Sequence, residues 1–134
     1  MVISSSDKKR SVYIGTSDIL HSLYSTIRVR LDYFKSKVSL AFNFLELGEC
    51  DFAIAVETAR QFNLIRDELS KFNPQQAVYD YRDLSKKAPW EGKISPVITS
   101  CANFYTTSDG KDLLFEIVSI LCYGYYSGSN IAIM

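Results

Sequence analysis

The sequence predicts an α+β fold: a single domain with three to four helices packed on a small, mainly antiparallel sheet. Two kinds of pattern point to it. Apolar residues recur at three- and four-residue steps in several stretches, and short runs rich in β-formers alternate between polar and apolar residues elsewhere. The segment from Asn73 to Leu113 lies between the helical first half and the last helix. It holds all three prolines, the lone tryptophan and two candidate strands, so the sheet is expected to meet the helices there.

Taken in order, Ser11–Thr16 reads as a short strand, with Val12 and Ile14 on one face and Gly15 allowing a sharp exit. Ser17 is placed to cap a helix, with Asp18 in the first turn where a carboxylate suits the helix dipole. Leu20, Leu23, Ile27, Leu31 and Phe34 continue that helix at helical spacing. A short second helix spans 38–47, ended by Gly48. Asp51 caps a third, whose Ala55, Ala59, Phe62, Ile65, Leu69 and Phe72 give the clearest periodicity in the chain, and Asn73-Pro74 ends it. The alternating segment 77–81 and the segment 102–107 are predicted as strands, joined by an ordered loop through Pro89-Trp90. Ser108 or Asp109 caps a last helix that is apolar nearly all round, with Gly124 and Gly128 breaking it. Asn130–Met134 returns as a final strand.

Length and composition bound the function classes. A chain of 134 residues buries a sizeable core without disulfides or metals, and 47% hydrophobic against 22% charged residues is a globular balance. Fifteen basic residues oppose fifteen acidic ones, so no overall field steers the protein to nucleic acid or an anionic membrane. Lys8, Lys9 and Arg10 read as part of a flexible N-terminal tail over residues 1–10, leaving 11–134 as the domain. Cys50, Cys101 and Cys122 are odd in number and form no C-x-x-C pair, which argues against a disulfide framework and fits a cytoplasmic location. The first ten residues do not resemble a signal peptide, and no apolar run is long enough to span a bilayer.

Chemistry-bearing residues are sparse. His21 is the lone histidine, without a nucleophile-elbow sequence or partners at metal-ligand spacing, so a hydrogen-bonded helix histidine is the expectation. Asp80, Asp83, Glu91, Asp109 and Asp112 are interleaved with Arg82, Lys86, Lys87 and Lys93, a pattern that favours ion-paired or solvated carboxylates over an acid–base pair. The enzyme alternative is a small hydrolase or nucleic-acid-processing enzyme using His21 with a nearby carboxylate. Lys86, Lys87 and Trp90 make a weak single-strand-binding patch in a neutral protein. Trp90 and the tyrosines at 123, 125 and 126 suit either core packing or a protein interface.

One set of motifs goes further. Ile65-Arg66-Asp67-Glu68-Leu69, Phe72-Asn73-Pro74, Tyr79-Asp80, Asp83-Leu84-Ser85-Lys86, Pro89-Trp90, Ile94-Ser95-Pro96, Ile98-Thr99 and the run from Thr107 to Leu113 resemble the immunity protein 70 family of bacterial polymorphic-toxin systems. The resemblance implies a cytoplasmic, non-catalytic, cofactor-free protein that binds the C-terminal domain of one cognate toxin, with no direct contact to nucleic acid or membrane. A homodimer is compatible with it. It transfers no catalytic residue. The expected toxin contact is the loop from Arg82 to Lys93, through Asp83, Lys86, Lys87, Trp90, Glu91 and Lys93, with Asp109 and Asp112 as the second candidate surface.

Overall fold

A computed structural model describes residues 1–88 and 94–134. Its sheet is made from the two ends of the chain and one short insertion between helices. Strands β1 (Val2–Ser5), β2 (Ser11–Tyr13), β3 (Glu49–Cys50) and β4 (Ile131–Ile133) align in the order β2-β1-β4-β3, every pair antiparallel. Register places Ile3 opposite both Val12 and Ile133, and Cys50 opposite Ile131. Ile3, Val12, Cys50 and Ile131 are all buried, so alternate positions of each strand supply the apolar face that the helices cover.

Four helices do the covering: α1 (Ser17–Arg30), α2 (Ser39–Leu47), α3 (Phe52–Leu69) and α4 (Leu113–Ser127). Helix α3 forms where the periodicity places it, and the Asp51 carboxylate accepts from the Ala53 backbone N–H at 2.8 Å. Gly48 ends α2 in the left-handed conformation at φ 79°, a region costly for any residue with a Cβ. The core is continuous from Leu23, Ile27 and Leu31 of α1 through Phe44, Phe62 and Ile65 to Leu114, Ile117 and Leu121 of α4. The fold is therefore α+β with an antiparallel sheet, as the sequence predicts.

Several local expectations are corrected. Residues 2–5 are not a flexible tail: they form β1, next to β4 and inside the sheet, and 1–10 with β2 make a hairpin. Its turn is held by Asp7, which accepts from Ser5 Oγ at 2.6 Å and from the Lys9 backbone N–H at 3.0 Å. Asp7 also ties the hairpin to α4, because Tyr123 donates its hydroxyl proton to the carboxylate at 2.6 Å and the Arg10 guanidinium lies over the Tyr123 ring. Thr16, not Ser17, occupies the N-cap of α1, and the helix ends at Arg30, passing into a 3-10 turn over Asp32–Lys37 before Phe34. Helix α3 ends at Leu69, ahead of Asn73-Pro74.

Neither predicted strand in the second half forms. Residues 102–107 are turns, with one isolated bridge between Thr106 and Asp112, so the loop from Arg82 onward does not join two sheet strands. The segment 77–81 runs without a partner strand, because side chains of α1 take its backbone hydrogen bonds. Asp112 caps α4, accepting from the Phe115 backbone N–H at 3.1 Å, where Ser108 or Asp109 was expected. Gly124 does not break α4 but sits inside it, and the left-handed Gly128 ends the helix and turns the chain into β4.

Gly124 is where β4 crosses its helix. A Cβ built there would lie 2.8 Å from both the Ser129 carbonyl oxygen and Ile131 Cγ1. Alanine gains up to about 1 kcal/mol in helix propensity over glycine. A backbone carbonyl has no rotamer by which to withdraw, however, and overpacking of this kind costs about 1–3 kcal/mol. Gly124→Ala should therefore lower stability in urea unfolding; an unchanged or raised midpoint would show that the return strand tolerates a wider gap.

Candidate functional site

The segment from Ala77 to Lys86 crosses α1, and a row of hydroxyls on the helix holds it. Ser22 and Thr26 are one turn apart and Ser25 adjoins them, so all three project toward the same side. The Val78 backbone N–H donates to Thr26 Oγ1 at 2.7 Å, Ser22 Oγ donates to the Val78 carbonyl at 2.8 Å, and the Tyr81 N–H donates to Ser25 Oγ at 3.1 Å. These side chains do for the segment what a neighbouring strand would do, which is why its β-like composition does not yield a strand.

Tyr105 closes the network from the far side. Its hydroxyl lies 2.5 Å from Thr26 Oγ1 and donates to the Ser22 carbonyl at 3.1 Å. With Ser22 donating to Val78, Thr26 donating to Tyr105 and Tyr105 donating to the Ser22 carbonyl, each hydroxyl proton in this buried cluster has an acceptor. Burial pushes the Tyr105 phenol well above its ordinary range, so it stays protonated and available as a donor.

The next residue outward with a buried charge is Asp80, only 5% exposed. Its Oδ1 accepts from the Arg82 backbone N–H at 3.0 Å and Arg82 Nε at 3.2 Å, and lies 3.3 Å from His21 Nε2. Lys86 Nζ stands 3.8 Å from the other oxygen. The Arg82 N–H, then the Arg82 guanidinium and then His21 hold the carboxyl well below its ordinary range, against the opposing effect of burial. The carboxylate thus binds the start of the loop, its fourth following residue position at Lys86, and the first turns of α1 to one point.

Around this point the surface is cationic and aromatic. The Arg28 guanidinium stacks 4.2 Å from the Tyr81 ring centroid, Arg82 lies 5.8 Å from the same centroid, and Lys35 stands over Phe42. Tyr24 sits beneath, edge-on to Tyr81 and hydrogen-bonded by Arg28. A cleft of about 490 Å³ is bounded by α1, by residues 74–79 and by residues 84–88, with Arg30, Leu84 and Lys86 among its lining side chains.

The residues singled out from sequence fall into separate places. Asp83, Lys86 and Lys87 are exposed on the segment anchored by Asp80, and the Asp83 carboxylate accepts from Ser85 N–H and Oγ in a local turn. Trp90, Glu91 and Lys93 lie outside the described residues. Asp109 and Asp112 sit on the loop before α4, which docks at the start of α1 through the Ser108 N–H to the Ile14 carbonyl at 3.1 Å. Asp112 is occupied as a helix cap, while Asp109 accepts from Thr107 Oγ1 and lies 3.8 Å from Lys111 Nζ.

His21 is a hydrogen-bonded helix histidine, and Asp80 is ion-paired, as their sequence contexts suggest. No hydrogen bond joins a serine, threonine or cysteine side chain to the imidazole among the described residues. The same residues contain no group of three His, Cys, Asp or Glu side chains suited to a metal. The sequence analysis missed the Arg28–Tyr81–Arg82 stack. Its only advance sign is the i,i+4 spacing of Tyr24 and Arg28.

Two measurements check this anchoring. Thr26→Val leaves the buried Val78 N–H without its acceptor, at an expected cost of about 1–3 kcal/mol in unfolding free energy; no change would mean the segment is not held through Thr26. The depressed Asp80 carboxyl contributes stability that is fully present above about pH 4 and is lost as pH falls toward the folded-state value. Asp7 is depressed as well, so the informative quantity is the difference between proteins. The melting temperature of Asp80→Asn should fall less on acidification than that of the wild type, and parallel curves would contradict the assignment.

Among the described residues, no helix is long and apolar enough to cross a membrane. Neither curated proteins nor solved structures give a match to the chain. A family model does: that of immunity protein 70 matches residues 6–133, which takes in all four helices, the Asp80 anchor and most of the sheet. The chain belongs to the immunity protein 70 family.

Proposed function

We propose that this protein neutralises a cognate bacterial toxin domain by stoichiometric contact, without catalysis, in the cytoplasm of the cell it protects. The toxin belongs to a polymorphic system, of the contact-dependent inhibition type or a related one, and its C-terminal domain is the part bound. The observation that carries this reading is the family match over nearly the whole chain. The geometry around Asp80 supports a location for the contact. A loop that leaves a buried, multiply hydrogen-bonded carboxylate is ordered before its partner arrives, so it loses less entropy on association.

On this proposal the segment from Arg82 to Lys93 contributes to the toxin contact, through Asp83, Lys86, Lys87, Trp90, Glu91 and Lys93, with Asp109 and Asp112 as the second candidate surface. Arg28, Arg82, Lys86 and Lys87 give one side of the region an excess of positive charge, which suits an acidic patch on the toxin and steers its approach. The His21–Asp80 contact invites an enzyme reading, but Asp80 already accepts from Arg82 twice, and that commitment favours a structural anchor.

The test is calorimetric binding to the toxin domain encoded beside this chain, together with protection of cells that express it. Trp90→Ala should weaken binding by about 2 kcal/mol or more, as truncated interface anchors do, with melting little changed. Lys87→Glu should slow association, and the effect should shrink in high salt. His21→Ala, if folded, should still protect. Intact affinity in folded Trp90→Ala, Glu91→Lys and Lys87→Glu proteins would remove the loop from the contact, and loss of protection in folded, toxin-binding His21→Ala would revive the enzyme.

A further inference from the structure

Helix α4 carries one charged residue, Glu116, and is otherwise uncharged from Leu113 to Ser127. Such a helix belongs inside a protein, yet one of its faces is open. Phe115 is 58% exposed, Tyr125 45% and Tyr126 83%, and Val118 and Cys122 are partly exposed between them. At 3.6 residues per turn, Phe115, Cys122 and Tyr126 fall on one line, opposite the buried Ile117, Ile120 and Gly124. The start of α3 adjoins the far end of this line, since the Phe52 N–H donates to Asn130 Oδ1 at 2.9 Å, and Phe52 and Val56 are themselves exposed there.

We propose that this face is the contact between two copies of the chain, paired about a two-fold axis with their α4 helices antiparallel. Three arguments select a second copy. The first is charge: an uncharged face meets its own image without like-charge repulsion, whereas it offers a foreign charged surface nothing to orient it. The second is spacing. Phe115 and Tyr126 are eleven residues apart, about 16 Å along the helix. An antiparallel crossing between Ser119 and Cys122 therefore brings Phe115 of one copy to Tyr126 of the other, with small side chains where the helices come closest. The third is area. From the size of aromatic side chains, the exposed parts of this face amount to roughly 500 Å² per copy. Pairing then buries on the order of 1,000 Å², the lower limit for a specific interface. The dimer is consequently weak, and the loop carrying Lys86 and Lys87 lies on different elements from the paired face.

The full-length protein should show a concentration-dependent monomer–dimer equilibrium in sedimentation velocity. Phe115→Arg and Tyr126→Glu replace exposed side chains, so both should fold, and each should weaken dimerisation at least tenfold. Cys50 and Cys101 are buried, which leaves Cys122 as the thiol beside the axis. A short bismaleimide should join two wild-type chains and fail to join Cys122→Ser chains. Toxin affinity should be unchanged in Phe115→Arg, which separates this proposal from the assignment of the toxin contact. A chain that stays monomeric at every concentration, or a dimer indifferent to both substitutions, would overturn the proposal. So would a monomer that loses toxin binding in Phe115→Arg, because the face would then belong to the toxin.

Discussion

The hydroxyl row of Ser22, Ser25 and Thr26 is the constraint on which the second half of the molecule depends. Without it the 77–81 segment would have to find a sheet edge or carry unpaired backbone groups under Tyr105, and each buried unpaired group costs about 1–3 kcal/mol. With it, an extended stretch is fixed on a helix by side chains alone, and Asp80 arrives where Arg82, His21 and Lys86 converge on it. A carboxylate this shielded from water is tolerable because its oxygens are hydrogen-bonded and faced by cations. The surface loop beyond it begins from a fixed point.

The sheet serves a different purpose. Its central strands β1 and β4 come from the two ends of the chain, so the fold closes only after α4 has packed and Gly128 has turned the chain back. The Asp7 carboxylate fastens the hairpin to α4 through Tyr123 and is itself held below its ordinary range, first by the Ser5 hydroxyl and then by the Tyr123 hydroxyl. The sheet is thus remote in sequence from the anchored loop. Changes in the loop can accumulate without disturbing β1 and β4, which suits a family whose members each face a different partner surface.

What was legible in the sequence follows from how local each signal is. Helix α3 was readable because its Asp51 cap, its apolar stripe and its length agree with one another. Gly48 and the final strand were readable for the same reason, with chemistry and position pointing the same way. Strand β1 was hidden because its four residues hold only two apolar side chains and its turn uses Lys8 at positive φ in place of glycine. The segment 77–81 was misread because alternation reports an extended backbone but not what that backbone bonds to; hydroxyls 52 to 56 residues away decide that. The site followed suit: interleaved charges foretold that Asp80 would be paired, while its burial and the stacking of Arg28 on Tyr81 are tertiary facts with no local trace.

The account therefore rests on one claim, that the segment leading into the loop is fixed in the free protein by α1 before any partner binds. Native-state amide hydrogen exchange of the isolated chain tests it at single residues. The Val78, Tyr81 and Arg82 amides, bonded to Thr26, Ser25 and Asp80, should be protected to a degree approaching that of the α1 core around Leu23 and Ile27. Exchange of these three amides at the rate of an unstructured peptide, in a protein whose α1 remains protected, would contradict it.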